Sequence, residues 1–152
     1  MANRLLDRER AALVVVDVQE AFRPAVLDFE RVARNTAVLV EGAKALGVPV
    51  VATEQYPEGL GKTVPEVAEH LSEEPLDKVR FSAAEAERFS LDGREVHVAQ
   101  DATTSRTQEN REVGLRRMER EGAVVTSVEA ALFELLGAAG SEEFKTVQRL
   151  IK

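Results

Sequence analysis

The stretch Ala11-Ala12-Leu13-Val14-Val15-Val16 is apolar at both of its alternating positions. A strand with one wet face alternates polar and apolar residues. A run that is apolar throughout reads as a strand covered on both faces, the mark of a parallel sheet between helical layers. Phe29, Val32, Ala33, Thr36, Val40 and Ala43 then recur at helical spacing, with Asp28 placed to cap that helix and Gly47 to end it. Val48-Pro49-Val50-Val51-Ala52-Thr53 is a second strand. Strand, helix, strand at this spacing is a right-handed βαβ unit, which makes the fold α/β.

The sequence then predicts a loop over 54–62, holding Pro57, Gly59 and Gly61, and a short helix to Leu71 opened by the capping box Thr63-Val64-Pro65-Glu66. An edge strand is expected over 76–81, a second capping box at Ser82-Ala83-Ala84-Glu85 and a turn over 91–94. Glu95-Val96-His97-Val98-Ala99 alternates like a strand with one wetter face. Ser105 or Thr107 caps a helix to Glu121, and Ala123–Thr126 is a last strand. Two helices close the chain, 128–136 and 142–152, the second with Phe144, Val147, Leu150 and Ile151 on one stripe. At 152 residues, without repeat or linker, residues 1–152 make a single domain.

Charge and residue types narrow the function. A net charge of −7 argues against a nucleic-acid partner and gives no reason to expect an anionic membrane. The longest apolar run is too short to cross a bilayer. Residues 1–10 carry no apolar segment of the signal-peptide kind, so a cytoplasmic location is expected. There is no cysteine, which excludes disulfides, thiolate metal sites and any cysteine nucleophile. His70, among glutamates, reads as solvated, and His97 as a packed or edge histidine. Their spacing builds no metal site, and Gly59-Leu60-Gly61 lacks the context of a dinucleotide fingerprint. No metal and no cofactor are expected.

Asp17 directly follows the first strand. In open α/β sheets ligands bind beyond the carboxyl ends of the strands, so a carboxylate there is placed to act as a base. A turn residue satisfying backbone N–H groups would occupy the same position. Lys78 lies in Leu76-Asp77-Lys78-Val79-Arg80-Phe81-Ser82, where its position alone does not distinguish it from a surface lysine. Ser82, Thr103, Thr104 and Ser105 are the available hydroxyls, and none sits in a nucleophile elbow.

Taken in order, several segments resemble the isochorismatase-like hydrolases over nearly the whole chain. They are Leu13-Val14-Val15-Val16-Asp17-Val18-Gln19, Thr53 to Thr63, the K-x-x-F-S element Lys78–Ser82, the D-A-x-x-S-R element Asp101–Arg106, and Gly122 to Leu135. The resemblance implies a doubly wound, Rossmann-like three-layer fold with a mainly parallel sheet. It implies amide or vinyl-ether hydrolysis by an Asp–Lys–Cys triad, with Asp17 and Lys78 in the first two roles. Phe22, Gln55 and Tyr56 fall in the substrate pocket of a small molecule, and a homo-oligomer is expected.

The family's cysteine should follow a strand between the K-x-x-F-S and D-A-x-x-S-R elements. Here Gly93-Arg94 runs straight into Glu95-Val96, as if two turns were fused. An internal deletion near 94/95, of about twenty to thirty residues by the size of such a unit, removes the strand, the nucleophile and the oxyanion-hole amides. Five strands are then expected instead of six. The resemblance places the lost strand beside 13–16, and the segment 95–99 is expected to move into its place, the alternatives being a strand donated by another subunit and a chain that does not fold stably. Catalysis is expected to be impaired or lost. The alternatives are a substitute nucleophile, Ser105 or a water activated by Asp17, and a non-catalytic interaction protein.

Overall fold

The computed structural model describes residues 4–79, 81 and 93–152. Strands β1 (Leu13–Val16), β2 (Val50–Gln55) and β3 (Leu76–Lys78) form a parallel sheet in that spatial order. Leu13 stands opposite Val50, and Gln55 opposite Lys78. Strands β4 (His97–Ala99) and β5 (Val124–Thr126) form a second parallel pair, with His97 opposite Val124. Helix α1 (Phe29–Ala45) joins β1 to β2, and the short helices α2 (Pro57–Leu60) and α3 (Pro65–Ala68) lie between β2 and β3. Helix α4 (Gln108–Arg120) joins β4 to β5, and α5 (Val128–Leu136) and α6 (Glu142–Ile151) end the chain.

The α/β class and the βαβ unit are as expected, and five strands occur among the described residues. The expectation that 95–99 fills the place beside β1 is overturned: no ladder joins β4 to β1. The residues after β4 explain why it stays where it is. Asn35 of α1 donates to the Asp101 carbonyl at 2.6 Å, the Asp101 carboxylate takes the Val128 N–H at 2.9 Å, and Leu27 N–H bonds the Ser105 carbonyl at 3.0 Å. Sliding β4 over to β1 would break all of these.

Helix α1 is buried along its length because it packs two clusters. Leu39, Ala43 and Leu46 join Leu132, Leu135 and Val147 of α5 and α6. Phe29, Ala33 and Val40 join Val15, Ala52, Val64 and Val67 on the other side. Strand β1 is unevenly covered: Leu13 and Val14 are half-buried, Val15 is 4% exposed and Val16 49%.

Two expected caps do not form. Asp28 sits at the N-cap of α1 with φ 50° and makes no side-chain cap bond. Thr63 turns its hydroxyl to Glu54 instead of closing a capping box, so α3 starts at Pro65 behind Val64 and ends at Ala68. Thr107 does cap α4, accepting from Asn110 N–H at 3.1 Å. The Ser82–Glu85 box lies outside the described residues, and of the 91–94 turn only Gly93 and Arg94 are described.

In the helical layer Gly42 of α1 lies close against Leu132, which is fully buried. A Cβ at position 42 would stand 2.4 Å from Leu132 Cδ2. Leu132→Ala should lower stability by about 2–5 kcal/mol in urea unfolding. Gly42→Ala should destabilise the native chain but stabilise the Leu132→Ala variant, by roughly 0.5–1 kcal/mol of regained helix propensity. The same sign in both backgrounds would contradict this packing.

Candidate functional site

The carboxyl ends of the three strands of the first sheet converge on one ammonium group. The Lys78 side chain is 2% exposed. Its Nζ donates to Asp17 Oδ2 at 2.7 Å, Gln55 Oε1 at 2.7 Å and the Phe81 carbonyl at 3.2 Å. Burying a charge is costly unless it is paired and hydrogen-bonded, which this shell provides. Asp17 completes the network by accepting from Thr53 Oγ1 at 2.8 Å. Its backbone is left-handed, φ 57°, and its N–H bonds the Thr53 carbonyl at 3.1 Å. That conformation costs of order 1–3 kcal/mol in a non-glycine residue and is held by its surroundings.

Gln55, Asp17 and Lys78 are thus brought together. Tyr56 adjoins them through its backbone, donating N–H to the Lys78 carbonyl at 2.8 Å. The residue is 51% exposed, and its ring lies over Gly59, where a Cβ would come within 2.3 Å of it. Phe22, in a 3-10 turn over Glu20–Phe22, is half-buried and packs against the cluster of Val15, Phe29 and Val64. It makes no polar contribution to the site. Ser105 is half-buried, and among the described residues no carboxylate, lysine or histidine bonds its hydroxyl.

Sequence reasoning missed two anchors. Gln19 is fully buried: its amide donates to the Gln55 carbonyl at 2.9 Å and the Gly61 carbonyl at 2.8 Å, and accepts Gln55 N–H at 2.6 Å. Glu54, 2% exposed, takes both the N–H and the hydroxyl of Thr63. Together they pin the loop 55–63 that carries Tyr56. The available signal was Thr53-Glu54-Gln55, a polar run continuing an apolar strand, which can be buried only with partners.

Arg23 binds the 3-10 turn to α1 and α3. It pairs with Glu20 at 3.0 Å, with Glu30 at 2.5 Å and with Glu66 at 2.9 Å, and its guanidinium stands 5.1 Å from the Phe29 ring centre. These carboxylates, Glu20 first, hold Arg23 above its ordinary range. Glu66 is held below the usual 4.5, chiefly by its own backbone N–H and then by Arg23. His70 Nε2 lies 3.3 Å from both Glu41 and Glu69. His97 Nε2 lies 2.9 Å from Glu95 and holds that carboxyl low. No three metal-ligating side chains gather among the described residues.

Two expectations follow. Lys78→Met strands Asp17 and Gln55 and should cost about 3 kcal/mol. Adding Asp17→Asn, a residue that tolerates φ 57°, should cost less than the sum of the singles in a double-mutant cycle; strict additivity would contradict the pairing. Because Glu66 titrates lower when folded, its contribution is full above pH 4.5 and is lost as pH falls through the folded value. Glu66→Gln should therefore flatten the acid limb of thermal stability below about pH 4.5 and leave the limb above it unchanged in slope.

Comparison with known proteins agrees with this geometry. The isochorismatase domain family model matches residues 11–91. The secreted isochorismatase effector Isc1 of Phytophthora sojae is 37% identical over 177 aligned positions, covering 93% of this chain and 84% of its own. An aligned span of 177 positions is longer than the 152-residue chain, so the relative carries residues that face nothing here. The solved structure of the MAR1 ribonuclease from Caenorhabditis elegans is 31% identical, with TM-score 0.89, covering 97% of this chain and 92% of that one. The YcaC gene product of Escherichia coli, an octameric hydrolase of unknown specificity, has TM-score 0.88 at 19% identity over 99% and 92% of the two chains. That likeness concerns the fold alone.

Proposed function

The chain belongs to the isochorismatase-domain family, and from that premise we propose that it is a hydrolase-like protein without hydrolytic turnover, keeping a small-molecule site over the Asp17–Lys78 pair. One observation carries this reading. The buried Lys78–Asp17 pair is intact at 2.7 Å, while the chain has no cysteine for it to activate. Asp17 and Lys78 are the residues that would steer a polar ligand group, with Gln55, Tyr56 and Phe22 around it.

A substitute nucleophile is not supported. A hydroxyl needs a positioned base, and Ser105 has none. A water activated by Asp17 would have to compete with Lys78 and Thr53, which already hold its two carboxylate oxygens. The ribonuclease name of the Caenorhabditis elegans structure is not carried over, since a net charge of −7 opposes binding a polyanion.

The reading includes a cytoplasmic location, which a cysteine-free chain fits, and self-association of the kind described for the Escherichia coli octamer. No helix among the described residues is long and apolar enough to cross a membrane. Cell fractionation and sedimentation read these two properties directly.

Amide and vinyl-ether substrates, isochorismate and nicotinamide included, should show no hydrolysis above background, and thiol-directed inhibitors should leave the protein's mass unchanged. Turnover that disappears in Asp17→Ala would overturn the inactive reading and favour an Asp17-activated water.

A further inference from the structure

We infer that the site over the Asp17–Lys78 pair takes a small organic cation that donates N–H groups, an amidinium or a primary ammonium, and turns away anions. The inference rests on the small-molecule site proposed above and names the chemistry of its ligand. It follows from which polar groups of the site are already engaged. An ammonium carries three N–H donors and no acceptor. The Lys78 ammonium donates to Asp17 Oδ2 at 2.7 Å, Gln55 Oε1 at 2.7 Å and the Phe81 carbonyl at 3.2 Å. With its side chain 2% exposed, it has no donor left to turn toward a ligand.

The other donors around the pair are engaged as well. Asp17 N–H bonds the Thr53 carbonyl at 3.1 Å, Gln19 N–H the Asp17 carbonyl at 3.0 Å and Tyr56 N–H the Lys78 carbonyl at 2.8 Å. Gln55 gives its N–H to Gln19 Oε1 at 2.6 Å, and its side-chain amide donates to the Val79 carbonyl at 2.9 Å. A carboxylate or phosphate ligand would lose hydration and meet the Asp17 carboxylate without N–H groups in return, which is costly. The acceptors stand the other way. A carboxylate offers about four lone-pair sites. Asp17 accepts one bond on each oxygen among the described residues, from Thr53 on Oδ1 at 2.8 Å and from Lys78 on Oδ2 at 2.7 Å. Its side chain is 17% exposed, against 2% for Lys78, so the anion is the member of the pair that reaches solvent.

Two exposed aromatic residues adjoin the pair through backbone bonds to Lys78: Tyr56, 51% exposed, and Phe81, 91% exposed. Aromatic faces attract cations and give a ring apolar contact. The net charge of −7 acts in the same sense, because it concentrates cations over anions near the protein. A bare metal ion does not fit. No three metal-ligating side chains gather among the described residues, and one carboxylate already bonded to Lys78 gives a hard cation too few oxygens. An organic cation needs fewer contacts, since its N–H groups bond the carboxylate directly and the bond is charge-assisted.

The test uses the full chain and three ligands of closely similar size and shape: benzamidine, benzamide and benzoate, which are cationic, neutral and anionic in neutral solution. Titration followed by backbone amide NMR reads both affinity and place. Benzamidine should bind and shift the amide signals of Asp17, Gln55 and Tyr56. Benzamide should bind about tenfold more weakly, the difference between a charge-assisted and a neutral hydrogen bond. Benzoate should show no binding at the concentration that saturates benzamidine. Asp17→Asn, checked for folding by its spectrum, should bind benzamidine at least about tenfold more weakly; if it does not fold, the ligand series decides. Benzamide or benzoate binding at these signals as tightly as benzamidine would overturn the cation preference and leave the site standing. Benzamidine binding that leaves these signals unmoved, or that Asp17→Asn does not weaken, would also overturn it. No shift with any of the three ligands would remove the proposed site itself, and this inference with it.

Discussion

One buried ammonium group organises the carboxyl end of the first sheet. Lys78 is removed from water almost completely, and Asp17, Gln55 and the Phe81 carbonyl are among the groups that replace its hydration. Asp17 and Gln55 are themselves held. Thr53 fixes the second carboxylate oxygen of Asp17, and Gln19 fixes the backbone of Gln55. The left-handed turn at Asp17 and the loop 55–63 are consequences of this arrangement. Such a network stays together in a chain without cysteine, because its members need one another whether or not chemistry takes place.

The second constraint is the edge of β1. A strand in the middle of a doubly wound sheet ordinarily satisfies its backbone on both sides. Among the described residues β1 pairs on one side only, and β4 stays on its own partner because the segment 100–105 is tied to α1, α5 and the connection after β1. Local bonds at the strand's end outweigh the ladder that a shift would gain. The helical layer of α1, α5 and α6 is packed around fully buried Val40, Ala43, Leu132 and Val147, and its clusters reach residues of both sheets.

Much of this was legible in the chain. Parallel strands, the long first helix, and α5 at its expected 128–136 followed from periodicity, because their burial is set by residues close in sequence. Asp17 and Lys78 were legible as a pair only through resemblance to a family, since 61 positions separate them and neither position is distinctive alone. The failures share one cause. Thr63 was read as a local cap, but Glu54, nine positions away, claims its hydroxyl. Gln19 and Glu54 passed unnoticed because their partners are non-local. The expected move of 95–99 failed because hydrogen bonds from Asn35 and Leu27, far away in sequence, decide where β4 lies.

The central claim is that β1 keeps its place and its Asp17–Lys78 contact while pairing, among the described residues, with β2 alone. Residue-resolved amide hydrogen exchange of the free protein tests it most directly. Leu13 and Val15, whose N–H groups face β2, should be protected near the level of global unfolding, whereas Val14 and Val16 should exchange orders of magnitude faster. Equal, strong protection of all four amides would mean that a strand already lies beside β1, and would contradict the account.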